Sequence, residues 1–266
     1  MSRGSRRRAT FAQALAAEWL KFFTVRSTFW GLLATVIVTV GLSALLALAF
    51  VVSLDQLPAA RRAAFDPGAY GLAGLNFGVI TLGVLGVLTM SGEYSTGSIK
   101  STLAAVPRRG RLLAAKLVVL AVVSLITGLL VSFASFFASQ AVFATRGLAA
   151  TLGQPGLLRA VLGGGLYLAL VALFSLGLAT IVRHTAGAIT AVLGVLFVLP
   201  IFGAFLPGEW GATTQKFLPS TAGAAIMNAA ETSGSLAPWT GFGVFAGYTA
   251  IILAIALGAF RRRDAN

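Results

Sequence analysis

Cysteine is absent from this 266-residue chain, which excludes disulfides, thiolate metal sites and cysteine nucleophiles together. Histidine occurs once, as His184, so a histidine-rich zinc site cannot be built. Charged residues make up only 10%, against about 25% in an ordinary soluble domain. Acidic residues are the scarcer sign, and none lies at the centre of a long apolar run. Proton-coupled transporters and pumps usually place Asp, Glu or His there as relays, which argues against a self-sufficient ion-coupled transporter. The phosphate-binding pattern G-x-x-x-x-G-K-[ST] is missing too, since no Gly-Lys pair exists and Gly97, Lys100 and Ser101 lack its spacing. Nothing resembles a serine nucleophile elbow. With no catalytic constellation, no ATP site of that type and no cofactor motif, the chain is not expected to be an enzyme.

Apolar residues are abundant, at 58% of the chain, and they come in runs too long for strands or core helices. Six runs approach or exceed the roughly 20 residues that cross a bilayer core: about 29–52, 68–90, 117–139, 160–182, 186–206 and 241–260. An all-α integral membrane protein of six transmembrane helices is expected, with residues 1–28 ahead of the bundle and a basic tail over 261–266. The fourth and fifth runs are divided only by Arg183, His184 and Thr185, so a tight turn must join them. His184 reads as a solvated residue of that turn.

The net charge of +13 does not point to nucleic acid, because cytoplasmic loops of membrane proteins gather Lys and Arg for topological reasons. With both termini inside, the inner side holds Arg3, Arg6, Arg7, Arg8, Lys21, Arg26, Lys100, Arg108, Arg109, Arg111, Lys116, Arg183, Arg261, Arg262 and Arg263. The outer side then holds Arg61, Arg62, Arg146, Arg159 and Lys216. That is 15 against 5, in the direction the positive-inside rule demands. The early arginines are not expected to open a signal peptide, because Glu18, Lys21 and Arg26 interrupt the residues after them and run 29–52 exceeds the 7–15 residues of a signal's apolar region. That run is expected to be a retained anchor.

Residues 10–26 have a helical rather than a spanning pattern. Phe11, Leu15, Trp19 and Phe22 recur at helical spacing, which predicts an amphipathic helix lying in the membrane interface. Glu18 falls on the same stripe, so it must snorkel or find a cation; Arg26 and an external protein are the candidates. Residues 207–240 carry Trp210, Phe217, Trp239 and three prolines, which predicts one or two short interfacial or re-entrant helices outside. Pro200 should kink the fifth span. Gly74, Gly78, Gly163, Gly164, Gly165, Gly243 and Gly247 read as close helix packing, with a dimer face or hinge as the alternative. Asn76 and Gln140 should hydrogen-bond between helices.

The most concentrated charge lies in residues 92–116, GEYSTGSIKSTLAAVPRRGRLLAAK, between the second and third runs. Residues 95–105 suit a short helix stopped by Pro107, with positive charge beyond its C-terminus, where the macrodipole favours it. Arginines there could serve topology and lipid anchoring alone. Anchoring, however, does not need the ordered Glu-Tyr-x-x-Gly stretch, so docking to a cytosolic partner is the favoured reading.

That stretch strongly resembles the first cytoplasmic loop of bacterial ABC-2 type permeases, particularly those of high-GC actinobacteria, which often show G-E-[YF]-x-x-G, a short helix, then an arginine-rich exit. EWLKFFTVRS at 18–27 and the Arg-Arg-Asp of 262–264 are also similar to that family. The resemblance implies a permease subunit in the bacterial plasma membrane, paired with a second permease in a homo- or heterodimer. A separate ATP-binding cassette ATPase would bind the ATP and Mg. It implies a surface helix containing Glu18, Trp19, Lys21 and Arg26, and a coupling segment containing Glu93, Tyr94, Gly97, Lys100 and Thr102. Pro107, Arg108, Arg109 and Arg111 would lead from that segment into the third span. Export of a small hydrophobic or amphipathic compound is the expected function, and reversal of Glu93 to Lys is expected to abolish transport without affecting insertion. A non-transporting assembly or immunity factor of the membrane is the alternative.

Overall fold

The computed structural model describes residues 10–105, 108–230 and 234–262, and within these every regular element is helical. Of the residues invoked above, Arg3, Arg6, Arg7, Arg8, Pro107, Arg263 and Asp264 lie outside the described ones. In order, the α-helices are α1 (Phe11–Thr24), α2 (Arg26–Ser53), α3 (Ala59–Ala63), α4 (Pro67–Leu72), α5 (Leu75–Ser95), α6 (Ser98–Ala105) and α7 (Arg109–Ala144). They continue as α8 (Leu157–Val182), α9 (Thr185–Leu193), α10 (Leu199–Ala204), α11 (Gly208–Phe217), α12 (Pro219–Ala224) and α13 (Pro238–Arg262).

Six helical stretches are long and apolar enough to cross a membrane: Arg26–Gln56, Pro67–Ser95, Arg109–Ala144, Leu157–Val182, Thr185–Ala204 and Pro238–Arg262. They fall on the six apolar runs in the same order. The chain is therefore a multi-pass, helical membrane protein by length and composition. The bundle is built around α5 and α8, the two most buried of the long elements, which pack on each other while α7 and α2 close one side. Their contact surfaces carry small residues. A Cβ on Gly86 would meet the Ala172 backbone oxygen at 2.3 Å, and one on Gly165 would meet the Leu129 nitrogen at 2.8 Å. Gly74 backs onto Ser43 and Thr39 of α2 in the same way. The packing reading thus holds for Gly74 and Gly163–165, but Gly243 and Gly247 meet nothing within 4 Å.

Local chemistry explains the breaks. The second run is split: Asp66 caps α4 by accepting from Gly68 and Ala69, Pro67 opens that helix, and Gly74 separates it from α5. Between α8 and α9, Arg183 takes a left-handed φ of 60° and His184 caps α9, its Nδ1 accepting from Gly187 N at 3.2 Å. The tight turn expected there is present. In the fifth span, Gly194–Val198 has π-helical spacing immediately before Leu199–Ala204. Pro200 has no N–H for a bond to the carbonyl four residues back, so the irregularity sits on its N-terminal side. Residues 207–240 do contain short helices, α11 and α12.

Two polar expectations divide. Gln140 bridges segments: its Nε2 donates to Pro67 O at 2.9 Å and its Oε1 accepts from Ala150 N at 2.8 Å. Asn76 does not link helices; it is exposed and bonds back to Ala73 O in its own turn. It lies one turn too close to the start of α5, where free carbonyls of the preceding turn compete for it.

Candidate functional site

The charged stretch 92–116 is mostly not a loop. Helix α5 runs on to Ser95 and α7 begins at Arg109, so Glu93 and Tyr94 occupy the last turn of α5, and Arg109 to Lys116 the first turns of α7. A helix can outrun the apolar core of its span, whereas hydropathy marks only the core; that is why the run boundaries fall short of the helix ends. Only Thr96, Gly97, the short α6 and the link to Arg108 remain between. Gly97 takes φ +69° with open space around it, and its N–H bonds to Tyr94 O at 3.2 Å. The glycine of Glu-Tyr-x-x-Gly therefore supplies the left-handed turn that ends α5.

Helix α1 starts at a capping box, in which Thr10 Oγ1 accepts from Gln13 N and Gln13 Oε1 accepts from Thr10 N. Its buried face is Ala14, Glu18 and Phe22, one residue every turn. The expected stripe divides: Phe22 and Glu18 turn into the protein, while Phe11 and Trp19 stay exposed, Trp19 lying 5.1 Å from Phe23 between ring centroids. Ala14 leaves room for close approach to α7, against which α1 packs, and Glu18 and Phe22 share its face.

Glu18 finds its cation inside the protein. Lys116, only 1% exposed, places Nζ 2.8 Å from Glu18 Oε2 and 2.5 Å from Glu93 Oε1. Lys21, one turn after Glu18, also reaches Glu93 Oε1. Glu93 is 4% exposed and Glu18 7%, whereas the Lys21 side chain is 39% exposed. Two carboxylates and two ammonium groups thus close a largely buried cluster of balanced formal charge across α1, α5 and α7. Arg26, expected as a partner of Glu18, instead opens α2 and is exposed. Lys116 carries the greatest burial of the four, and sequence reasoning places it only in a basic exit. Glu18 demands a cation, but a partner 98 residues away leaves no local signal.

Around the cluster, α6 is anchored by Ile99, which is buried, while Lys100 and Ser101 face outward. Thr102 bonds back to Ser98 O at 3.0 Å. Helices α1, α6 and α7 border a cavity of about 250 Å³ lined by Glu18, Lys21, Ser101 and Thr102. Tyr94, next to Glu93 in sequence, meets a further cation: the Arg183 guanidinium lies 5.4 Å from its ring centroid, within cation–π range. Arg183 Nη2 donates to Ala259 O at 3.5 Å, and Arg109 Nη1 to Phe260 O at 3.2 Å. Cations therefore meet the C-terminal carbonyls of α13, where the macrodipole favours them. Arg108 is exposed and borders, with Phe11, Arg109, Arg111 and Arg261, an open basic groove of about 630 Å³.

The predicted surface-helix and coupling residues consequently separate into two kinds. Glu18, Lys21 and Glu93 meet at one buried centre with Lys116, and Tyr94 joins α5 to the α8–α9 turn. Trp19, Arg26, Lys100 and Arg108 face outward. Among the described residues no group of three or more His, Cys, Asp or Glu could hold a metal ion. A scan against protein-family models finds no match, and a search of curated proteins finds none either.

Proposed function

We propose that this chain is the membrane subunit of an exporter of the ABC-2 permease kind, driven by a separate ATP-binding cassette ATPase and paired with a second permease subunit in a bacterial plasma membrane. Its cargo is a small hydrophobic or amphipathic compound. The observation that carries this reading is the buried cluster of Glu18, Lys21, Glu93 and Lys116. It fastens α1, α5 and α7 into one unit beside α6, whose outer face offers Lys100 and Ser101. Force applied to α1 or α6 by a docked ATPase would reach two spanning helices through ion pairs that are hard to open in a dry setting. On this reading the chain moves and its partner hydrolyses; ATP and Mg belong to the ATPase, and the basic groove beside α7 meets lipid phosphates.

Glu93 then acts as an internal link rather than a docking contact, so its reversal to Lys is a poor probe: it would bury three ammonium groups against one carboxylate. Two milder variants separate docking from coupling, each produced in its native cells together with any ATP-binding cassette ATPase encoded beside it and recovered under gentle detergent. Lys100→Glu should weaken ATPase recovery by about tenfold in affinity, the scale of one displaced charge contact. Glu93→Gln should retain the ATPase while transport into inverted vesicles drops severalfold. No ATPase recovered with the wild-type chain would sink the transporter reading and favour an assembly or immunity factor. Full transport by Glu93→Gln would remove the coupling role.

A further inference from the structure

A second cavity, of about 450 Å³, opens on the other side of the ion cluster, between α1, α2, α5 and α7. Its walls combine the apolar side chains of Phe22, Val25, Leu85 and Leu88 with a polar wall to which all four cluster residues, Glu18, Lys21, Glu93 and Lys116, contribute. Glu93 is unevenly used. Its Oε1 takes both lysines, while its buried Oε2 has no hydrogen-bond partner among the described residues. A buried carboxylate oxygen without a donor is costly, because it has given up water for nothing.

We infer that this cavity binds a small amphiphile bearing a primary ammonium group, with the ammonium on Glu93 and the hydrocarbon between α2 and α5. The cluster already shows what its polar wall accepts, since Lys21 presents the same ammonium to the same carboxylate. Lys116 is 1% exposed and held by both carboxylates, but Lys21 is partly exposed and can swing to water. An incoming ammonium that takes its place leaves the buried charge balance unchanged. The ammonium donates to Glu93 where Lys21 did and, once the carboxylate turns toward it, supplies Oε2 with a donor, while apolar area on the ligand is covered by Leu85, Leu88 and Phe22. A quaternary ammonium has no N–H and cannot satisfy Oε2; an anionic head would meet two carboxylates. This binding goes beyond the transport reading and requires no ATPase, so the isolated full-length chain tests it.

The probe is octylamine carrying a photoreactive diazirine, applied to the full chain in nanodiscs of phosphatidylcholine, whose headgroup has no N–H. Labelling should be saturable, should map to peptides containing Leu85–Leu88 or Phe22–Val25, and should be competed by octylamine but not by octyltrimethylammonium. Lys21→Met removes the internal competitor and should tighten binding about fivefold, the upper scale of one partly exposed ion pair. Glu93→Gln should lose labelling by tenfold or more. Leu88→Trp leaves the cluster intact while filling the cavity, and should abolish labelling with an unchanged Tm; it keeps the test decisive should Glu93→Gln fold poorly. Weaker binding by Lys21→Met, equal competition by the trimethyl analogue, or labelling that survives Leu88→Trp would each overturn the assignment.

Discussion

Replacing Lys116 by Met should lower the stability of the chain by about 3–5 kcal/mol, the penalty for removing one partner of a buried ion pair. Glu18 would lose the ammonium it pairs with, and Glu93 would keep Lys21, the most exposed member of the four. The expected signature is a large drop in Tm followed by tryptophan fluorescence in detergent. A triple variant, Lys116→Met with Glu18→Gln and Glu93→Gln, should recover most of that loss, because a buried ionic group replaced as a whole by neutral ones is often tolerated. The surface pair Arg146–Asp55, at 3.3 Å and largely exposed, sets the contrast: Arg146→Ala should cost about 0–1 kcal/mol. A Lys116→Met protein as stable as wild type would mean that the cluster is not dry.

The second large effect should come from Gly86→Leu. Even a Cβ at this position would sit 2.3 Å from the Ala172 oxygen and 3.0 Å from its carbonyl carbon, and both are backbone atoms of α8 that no rotamer change can move. Helices α5 and α8 must then part along the most buried contact in the bundle. In lipid, where water no longer drives helices together, such close approach is a main source of association. Overpacking of a tight core costs about 1–3 kcal/mol for small excesses, and a leucine should exceed that range. Gly86→Ala should fall within it. Gly243→Ala, with nothing within 4 Å, should leave Tm unchanged. Equal Tm values for the Gly86 and Gly243 variants would show that the two helices are not held at this distance.

The six spanning stretches are legible in the sequence because bilayer thickness imposes a length and a polarity on each, and both survive in the linear chain. Their ends are less so. Glu93, Tyr94 and Arg109 to Lys116 resemble loop because charge masks helix once hydropathy is the ruler. The aromatic pattern of α1 marks a surface helix but does not tell which of its residues, Ala14, Glu18 and Phe22, turn into the protein. Glu18 carries a usable clue, a carboxylate on an apolar helix. Its partner, like the contacts from Arg109 and Arg183 to the end of α13, depends on tertiary approach that spacing does not encode. Gly97 stands out for its motif, and its work is conformational.

The π-helical turn at Gly194–Val198 has a consequence for tolerance of deletions. A π turn spends one residue more than an α turn of the same ladder, so the fifth span carries a spare residue at that point. Removing one residue from a regular spanning helix rotates everything beyond it by about 100° relative to its neighbours. Removed from 194–198, the same residue can be absorbed by conversion of the π turn to ordinary α spacing, and Pro200 to Ala204 keep their facing. The span has one place where its length can change by a single residue without turning its far end.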